Sequence, residues 1–522
     1  MIMERKIDFK RVQNTRGITF FAFFALITFI SYGWRLGTGN AVHSDETCFI
    51  FVGQDFLSGN FFLKDWWLST GTFGLPTFEL TVLTAIFGYH DTLIYVAAAM
   101  NYALMILAVS FVVYKYAKVK QMNHAWVYSA IVGLIIVDPR YHMHLHAGTQ
   151  VLAYAVAILS LYISCTAKSI MKNRVVRLIW GIMLGFLAVT NNMFFYTACI
   201  PILLTGILAT YENKIDRNKL WLVETGIISA GAYVIFEKLW ECFRGSDLGG
   251  LSTTFATRDK IWDNLIVCFC NILELYGIDF WGENLFSLKT VSALVGFLVL
   301  AKISIEIYRF IKNSYWKDEI LFNAFFLMAL VNFGAYAFST VVETAPDVHL
   351  LQPFLLGYTI AGSLAWIKNA EKSEEKSGLW KALGVSIFLM ILLWPNFTLQ
   401  QPDNSGRQQA AQYLVENGYE KGFATYWSAA SVMYESEGKL TISPVCCYSM
   451  NEAEKPTLHA QQWMNKEEWI TQEGHFLVLD STSEAKAGVN VDGIIATFGE
   501  WTEMRQFGDI TVYTWDEPQT LN

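Results

Sequence analysis

Apolar residues fall in blocks of roughly 20 along most of the chain, about the length needed to cross a bilayer as a helix. Between the blocks, polar residues gather in short loops. The blocks predict spans at 17–36, 92–114, 125–137, 148–166, 178–190, 194–210, 220–240, 287–310, 320–340, 350–367 and 379–395, eleven crossings in all. A further apolar stretch, 73–88, is short and contains Pro76 and Glu79. It is predicted to lie in or dip into the outer leaflet. After Pro395 the pattern changes. Residues 401–422 read as a loop and an amphipathic helix with Ala410, Ala411, Tyr413, Leu414 and Tyr419 on one face. Residues 423–438 read as a strand-to-helix piece, and KLTISPV, HFLVLDS, VDGIIATFG and DITVYTW read as strands.

The expected architecture is therefore a polytopic α-helical membrane domain over 1–395, followed by a small α/β domain over 396–522. Composition agrees: 53% of the 522 residues are hydrophobic and 16% charged, against about a quarter charged in soluble domains. The net charge of -8, without a basic stripe, gives no reason to expect a nucleic-acid partner. The eight cysteines have no zinc-type spacing and imply no disulfide framework.

Lys and Arg set the expected orientation. They cluster before the first span and around Lys115–Lys120, Lys168–Arg177, Lys214–Lys219, Arg309–Lys317 and Lys368–Lys381. The positive-inside rule puts these clusters and the N-terminus in the cytoplasm, with the C-terminal domain outside. The parity works only if 73–88 does not cross.

The opposite loops collect charges of both signs. Loop 37–91 holds Asp45, Glu46, Asp55, Lys64 and Asp65. DPRYHMHLHAG (138–148) holds Asp138, Arg140, His142, His144 and His146. TNN (190–192) and the charged segment 241–286 follow, and then VVETAPDVH (341–349) with Glu343, Asp347 and His349. Ionisable groups near membrane depth are costly and commonly mark a site. Solvated loop charge is the plainer reading for many of them individually.

Residues 45–58 predict a helix opening on Asp45-Glu46, with Phe49, Val52, Gly53, Phe56 and Leu57 on an apolar face and Gly59 at its end. Such a helix would lie along the membrane surface. A carboxylate there is also ordinary helix capping and dipole compensation.

A loop after the first span that opens with Asp-Glu and continues as an amphipathic helix ending in Leu-x-Gly resembles the polyprenyl-phosphate-sugar-dependent glycosyltransferases of the GT-C superfamily. The likeness is to the protein O-mannosyltransferase and aminoarabinose-transferase type. GTFGLPTFELTVLTAIFG (71–88) occupies the place of that family's Pro-containing segment. HLLQPFLLGYTIAG (349–362) resembles its Arg-Tyr-Leu-x-Pro run, with His349 in place of the arginine. The pattern departs in keeping only Pro76 of the paired prolines, and in having histidines where a second acidic residue is expected after Arg140.

The resemblance implies inverting transfer of a hexosyl or pentosyl group, outside the cytoplasm, from a polyprenyl-phosphate donor to a protein, lipid or glycan acceptor. It implies Asp45 as the base that takes the acceptor proton, with Glu46 orienting it or binding the acceptor. The leaving phosphate needs fixed positive donors; Arg140 suits it best, with Lys64 and His349 next. His142, His146 and Glu343 complete the expected substrate-binding set. No cofactor motif is visible, although three alternating histidines with Asp45 could hold a divalent metal. Trp66-Trp67 and ELYGIDFWG (274–282) could stack on sugar rings or anchor the membrane interface. The C-terminal domain shows no nucleophile constellation or phosphate loop and is expected to act as a cover or acceptor-positioning module. Two other classes compete: a flippase of lipid-linked sugars, and a non-catalytic receptor or assembly factor. A flippase would favour internal repeats and mid-membrane charges; here the charges sit at the outer ends.

Overall fold

The run that follows the first expected span folds as α1 (Ser44–Leu57), a two-residue strand β1 (Trp66–Trp67) and α2 (Leu75–Phe87). The computed structural model describes residues 42, 44–68, 74–122, 125–136, 151–212, 220–244, 254–278, 280, 282–284, 286–344, 348–371, 405–448, 456–470, 472–480 and 489–521. The expected spans at 17–36 and 379–395 lie outside them.

The other expected spans are helical where described: α3 (Asp91–Val119), α4 (Ala125–Ile136), α5 (Val151–Thr166), α6 (Arg174–Thr190), α7 (Ile200–Glu212), α8 (Leu220–Arg244), α10 (Leu288–Lys312), α11 (Ile320–Ala337) and α12 (Gln352–Ala370). A π-helical turn, Phe195–Cys199, leads into α7. Among the described residues, five helices are long and apolar enough to cross a membrane: Asp91–Val119, Asn192–Tyr211, Leu220–Phe243, Lys289–Lys312 and Ile320–Ala337. Close packing in the bundle uses glycine. A Cβ on Gly185 of α6 would lie 2.7 Å from the Ser229 carbonyl of α8, so the two helices meet backbone to backbone. The chain also forms an element the sequence reading missed, α9 (Ile261–Leu275). Its Asn264, Cys268, Asn271 and Leu275 are buried, while Trp262, Ile266 and Phe269 are exposed. Apolar residues on both faces hid its helical period.

The two ends of the bundle carry different chemistry. Lys120 pairs with Glu319, and Lys368 lies 3.8 Å from the same carboxylate and 2.7 Å from Glu371. Three loops assigned to one side by their charge thus meet in space. The 29 residues of α3 rise about 43 Å from there to Asp91 at the other end. α2 packs beside the first half of α3, where Asn101 Nδ2 donates to Glu79 at 2.6 Å. Gly74, just before α2, abuts Thr190 at the end of α6 remote from its basic start. Beyond α2, the His90 amide donates to the Tyr434 hydroxyl at 2.9 Å. With 13 residues, about 20 Å, α2 is also shorter than the roughly 30 Å apolar core of a bilayer.

The C-terminal residues form α13 (Ser405–Glu416), β2 (Lys421–Thr425), α14 (Tyr426–Glu435), β3 (Thr441–Tyr448), β4 (Thr457–Ala460), β5 (Asn465–Lys466), β6 (Gly474–Asp480), α15 (Val491–Phe498), β7 (Glu503–Phe507) and β8 (Ile510–Gln519). Six strands make one sheet in the order β4-β3-β2-β6-β8-β7, with β2 parallel to β3 and β6. VDGIIATFG, read above as a strand, is instead helix α15. The Asn490 side chain accepts from the Gly493 amide at 2.8 Å and starts it, and Gly499 at φ 74° ends it.

α1 is wedged between α2 and the C-terminal unit. Its first half is buried nearly all round, from Ser44 through Gly53 with Asp45 only half-buried, rather than showing one apolar face to a membrane. Leu57, placed on that face by its spacing, is 63% exposed. Gly53 allows the wedge, because a Cβ there would lie 1.9 Å from Thr81 Oγ1 and 2.9 Å from Thr81 Cβ. Gly53→Ala is therefore expected to lower stability by about 1–3 kcal/mol, read as a fall in melting temperature. An unchanged melting temperature would show that α1 and α2 can separate freely.

Candidate active site at the junction of bundle and C-terminal unit

Ser44 opens α1, and its Oγ accepts from the Ala430 amide of α14 at 3.0 Å. The next residue, Asp45, accepts at Oδ1 from the Tyr426 hydroxyl at 2.5 Å. One turn on, the Cys48 thiol donates to the Met464 carbonyl at 3.4 Å. Burial, and then the Asp45 charge, push the Cys48 thiol far above its usual range, so it is no thiolate nucleophile. Burial also raises the Tyr426 phenol well above its usual range, with the Asp45 charge adding to it. The phenol therefore stays protonated and acts as a donor. Glu46 is 6% exposed, behind Asp45 on the helix.

A second cluster ties the same junction. Arg407 of α13 donates to the carbonyl of Val42, two residues before α1. Its Nη2 lies 3.1 Å from Glu435 of α14 and 3.4 Å from Asp91 at the head of α3. All three side chains are buried or nearly so. Burial pushes the Glu435 carboxyl up to about 7, with the Asp91 charge adding and Arg407 opposing. The folded state thus holds an extra proton between the ordinary carboxylate range and pH 7. This contribution to stability is full at low pH and is lost as pH rises through about 7. Glu435→Gln is expected to flatten the melting temperature between about pH 5 and 8, where wild type declines. A variant as pH-dependent as wild type would place the titration elsewhere.

At the far end of α1, Asp55 accepts from Trp66 Nε1 at 2.8 Å and Asn60 Nδ2 at 2.6 Å, and Lys466 Nζ lies 3.3 Å away. β1 pairs antiparallel with β5, joining Trp66-Trp67 to Asn465-Lys466. Trp66 is 1% exposed and packs edge-on against Trp469 at 5.0 Å, so it is neither a sugar platform nor an interface anchor. The hydroxyl of Tyr276, in ELYGIDFWG, is likewise buried, 2.9 Å from that of Thr359.

Of the expected site residues, Asp45 and Glu46 sit at the junction and Lys64 is exposed. Arg140, His142 and His146 lie outside the described residues, as does His144. Glu343 and His349 are placed by their backbones only, in the short helical turns Val341–Thr344 and Val348–Leu351. Among the described residues, no three metal-ligating side chains converge. The sequence reading missed Tyr426 as a partner of Asp45, and missed Arg407, Asp91 and Glu435 altogether. Arg407 did leave a signal, since it falls on the buried face formed by Ala410, Ala411 and Leu414.

A helical membrane bundle with a short helix wedged beneath an appended α/β unit is a fold that two solved structures share with this chain. ArnT from Cupriavidus metallidurans bound to undecaprenyl phosphate is 12% identical, with a TM-score of 0.51 over 95% of this chain and 97% of that one. Archaeal oligosaccharyltransferase AglB from Archaeoglobus fulgidus, in complex with an inhibitory peptide and a dolichol-phosphate, is 11% identical, with a TM-score of 0.50 over 90% and 70%. At such identities the likeness is one of fold. No family model matches the sequence, and no curated protein matches it.

Proposed function

We propose that the chain transfers a sugar from a polyprenyl-phosphate donor to an acceptor hydroxyl or amine on the extracytoplasmic face of the membrane. The observation that carries this reading is the place of Asp45. It lies in the first turn of the helix after the first expected span, at the seam of bundle and C-terminal unit, in a fold shared with proteins solved with a polyprenyl phosphate. The acceptor oxygen or nitrogen attacks the anomeric carbon and gives its proton to Asp45. The anomeric C–O bond to phosphate breaks, the configuration inverts, and the polyprenyl phosphate leaves with the bonding pair. Arg140 is the proposed partner of that phosphate, with Lys64 and His349 as further cations and Glu46, Glu343, His142 and His146 lining the substrates.

The direct test supplies membranes containing the protein with a panel of radiolabelled polyprenyl-phosphate hexoses and pentoses. Movement of label to a non-lipid-phosphate acceptor is the expected result. Label that changes leaflet without leaving its lipid phosphate would instead identify a flippase, and no movement with any donor would favour a receptor or assembly factor.

A further inference from the structure

We propose that the C-terminal unit is part of the catalytic device rather than a cover, because Tyr426 positions the Asp45 carboxylate for proton abstraction. This rests on the reading of Asp45 as the base.

Asp45 reaches out of its own helix to bond a side chain 381 residues away at 2.5 Å. Tyr426 is well placed to hold it. It is the first residue of α14, directly after β2, and is 6% exposed. Its ring meets that of Trp427 edge to face at 5.2 Å. The Trp463 side chain packs against the same buried cluster as Tyr426. The backbones on either side are locked too, by Ala430 to Ser44 and by Cys48 to Met464. The phenol therefore meets Oδ1 in one fixed geometry.

The chemical consequence is a carboxylate held in one rotamer, because Oδ1 accepts from the Tyr426 hydroxyl. Tyr426 keeps its own proton throughout, so it is a positioning residue and not a second acid. A base held in place in this way contributes to kcat rather than to donor binding.

Tyr426→Phe removes one oxygen and keeps the ring. It is expected to lower kcat about tenfold with the KM for the lipid donor within about twofold of wild type. In the Asp45→Asn background the same change should alter the residual rate by less than about twofold, because the group it positions is already gone. Trp463→Ala, which leaves the Tyr426 bond but removes packing beside it, should lower kcat in the same direction by less; it decides the matter if Tyr426→Phe does not accumulate. A fully active Tyr426→Phe beside an inactive Asp45→Asn overturns the positioning role alone. Equal losses from Tyr426→Phe in both backgrounds overturn it as well, since they would mark a merely structural contact. Undiminished transfer by Asp45→Asn overturns the base assignment, and the positioning role with it.

Discussion

Membranes carrying Asp45→Asn are expected to transfer sugar about 10²–10⁴-fold more slowly than wild type at equal abundance. Asparagine keeps the shape of the side chain, and its amide oxygen can still accept from Tyr426, so the junction should hold and the melting temperature should stay close to wild type. What is lost is the proposed acceptor of the proton. Glu46 cannot stand in for it. Successive residues on a helix point about 100° apart, and Glu46 is buried in the wedge. Nor can Cys48, whose thiol stays protonated. A variant whose rate remains within about twofold of wild type would reduce Asp45 to a structural bridge between α1 and α14.

How much of this was legible in the sequence differs by element. The bundle was readable because bilayer-length apolar blocks leave a period-independent mark. The strands β3, β6 and β8 were readable because β-branched and aromatic residues crowd short runs between polar breaks. α15 was misread because Ile494-Ile495 suggested a strand, although Asn490 and Gly499 were there as start and stop signals. Asp45-Glu46 was legible as a pair at a telling position. Its surroundings were not, since Tyr426 reaches Asp45, and Met464 reaches Cys48, only through the tertiary fold, and no local rule links residue 45 to residue 426. Trp66-Trp67 failed for the same reason. Composition suggests exposed aromatics, but a two-residue pairing with Asn465-Lys466 buries Trp66. Arg407 was in principle visible, because a cation in register with Ala410, Ala411 and Leu414 breaks the amphipathic pattern and asks for buried partners.

Those partners make Arg407 the residue whose loss should cost most in stability. Arg407→Ala is expected to destabilise the folded protein by about 3–5 kcal/mol, the range for removing one member of a buried charge cluster. Asp91 and Glu435 would then face each other without the guanidinium, and the Val42 carbonyl would lose its donor. Lysine should restore only part of the loss, since a single ammonium cannot reach a carbonyl and two carboxylates with the spread of a guanidinium fork. The deficit should also depend on pH. At high pH both carboxylates are ionised and repel; without the guanidinium that holds its pKa down, Glu435 takes a proton at higher pH in the variant than the value of about 7 in wild type, so the gap between variant and wild type should narrow as pH falls towards about 7. Thermal melting of the detergent-solubilised proteins across that range reads both effects. A deficit under about 1 kcal/mol, or one that does not change with pH, would mean that water reaches the cluster and screens it. Val42 stands two residues before α1, so a loosened junction should also displace Asp45. Arg407→Ala is therefore expected to lose transfer activity at temperatures where the bundle itself remains folded.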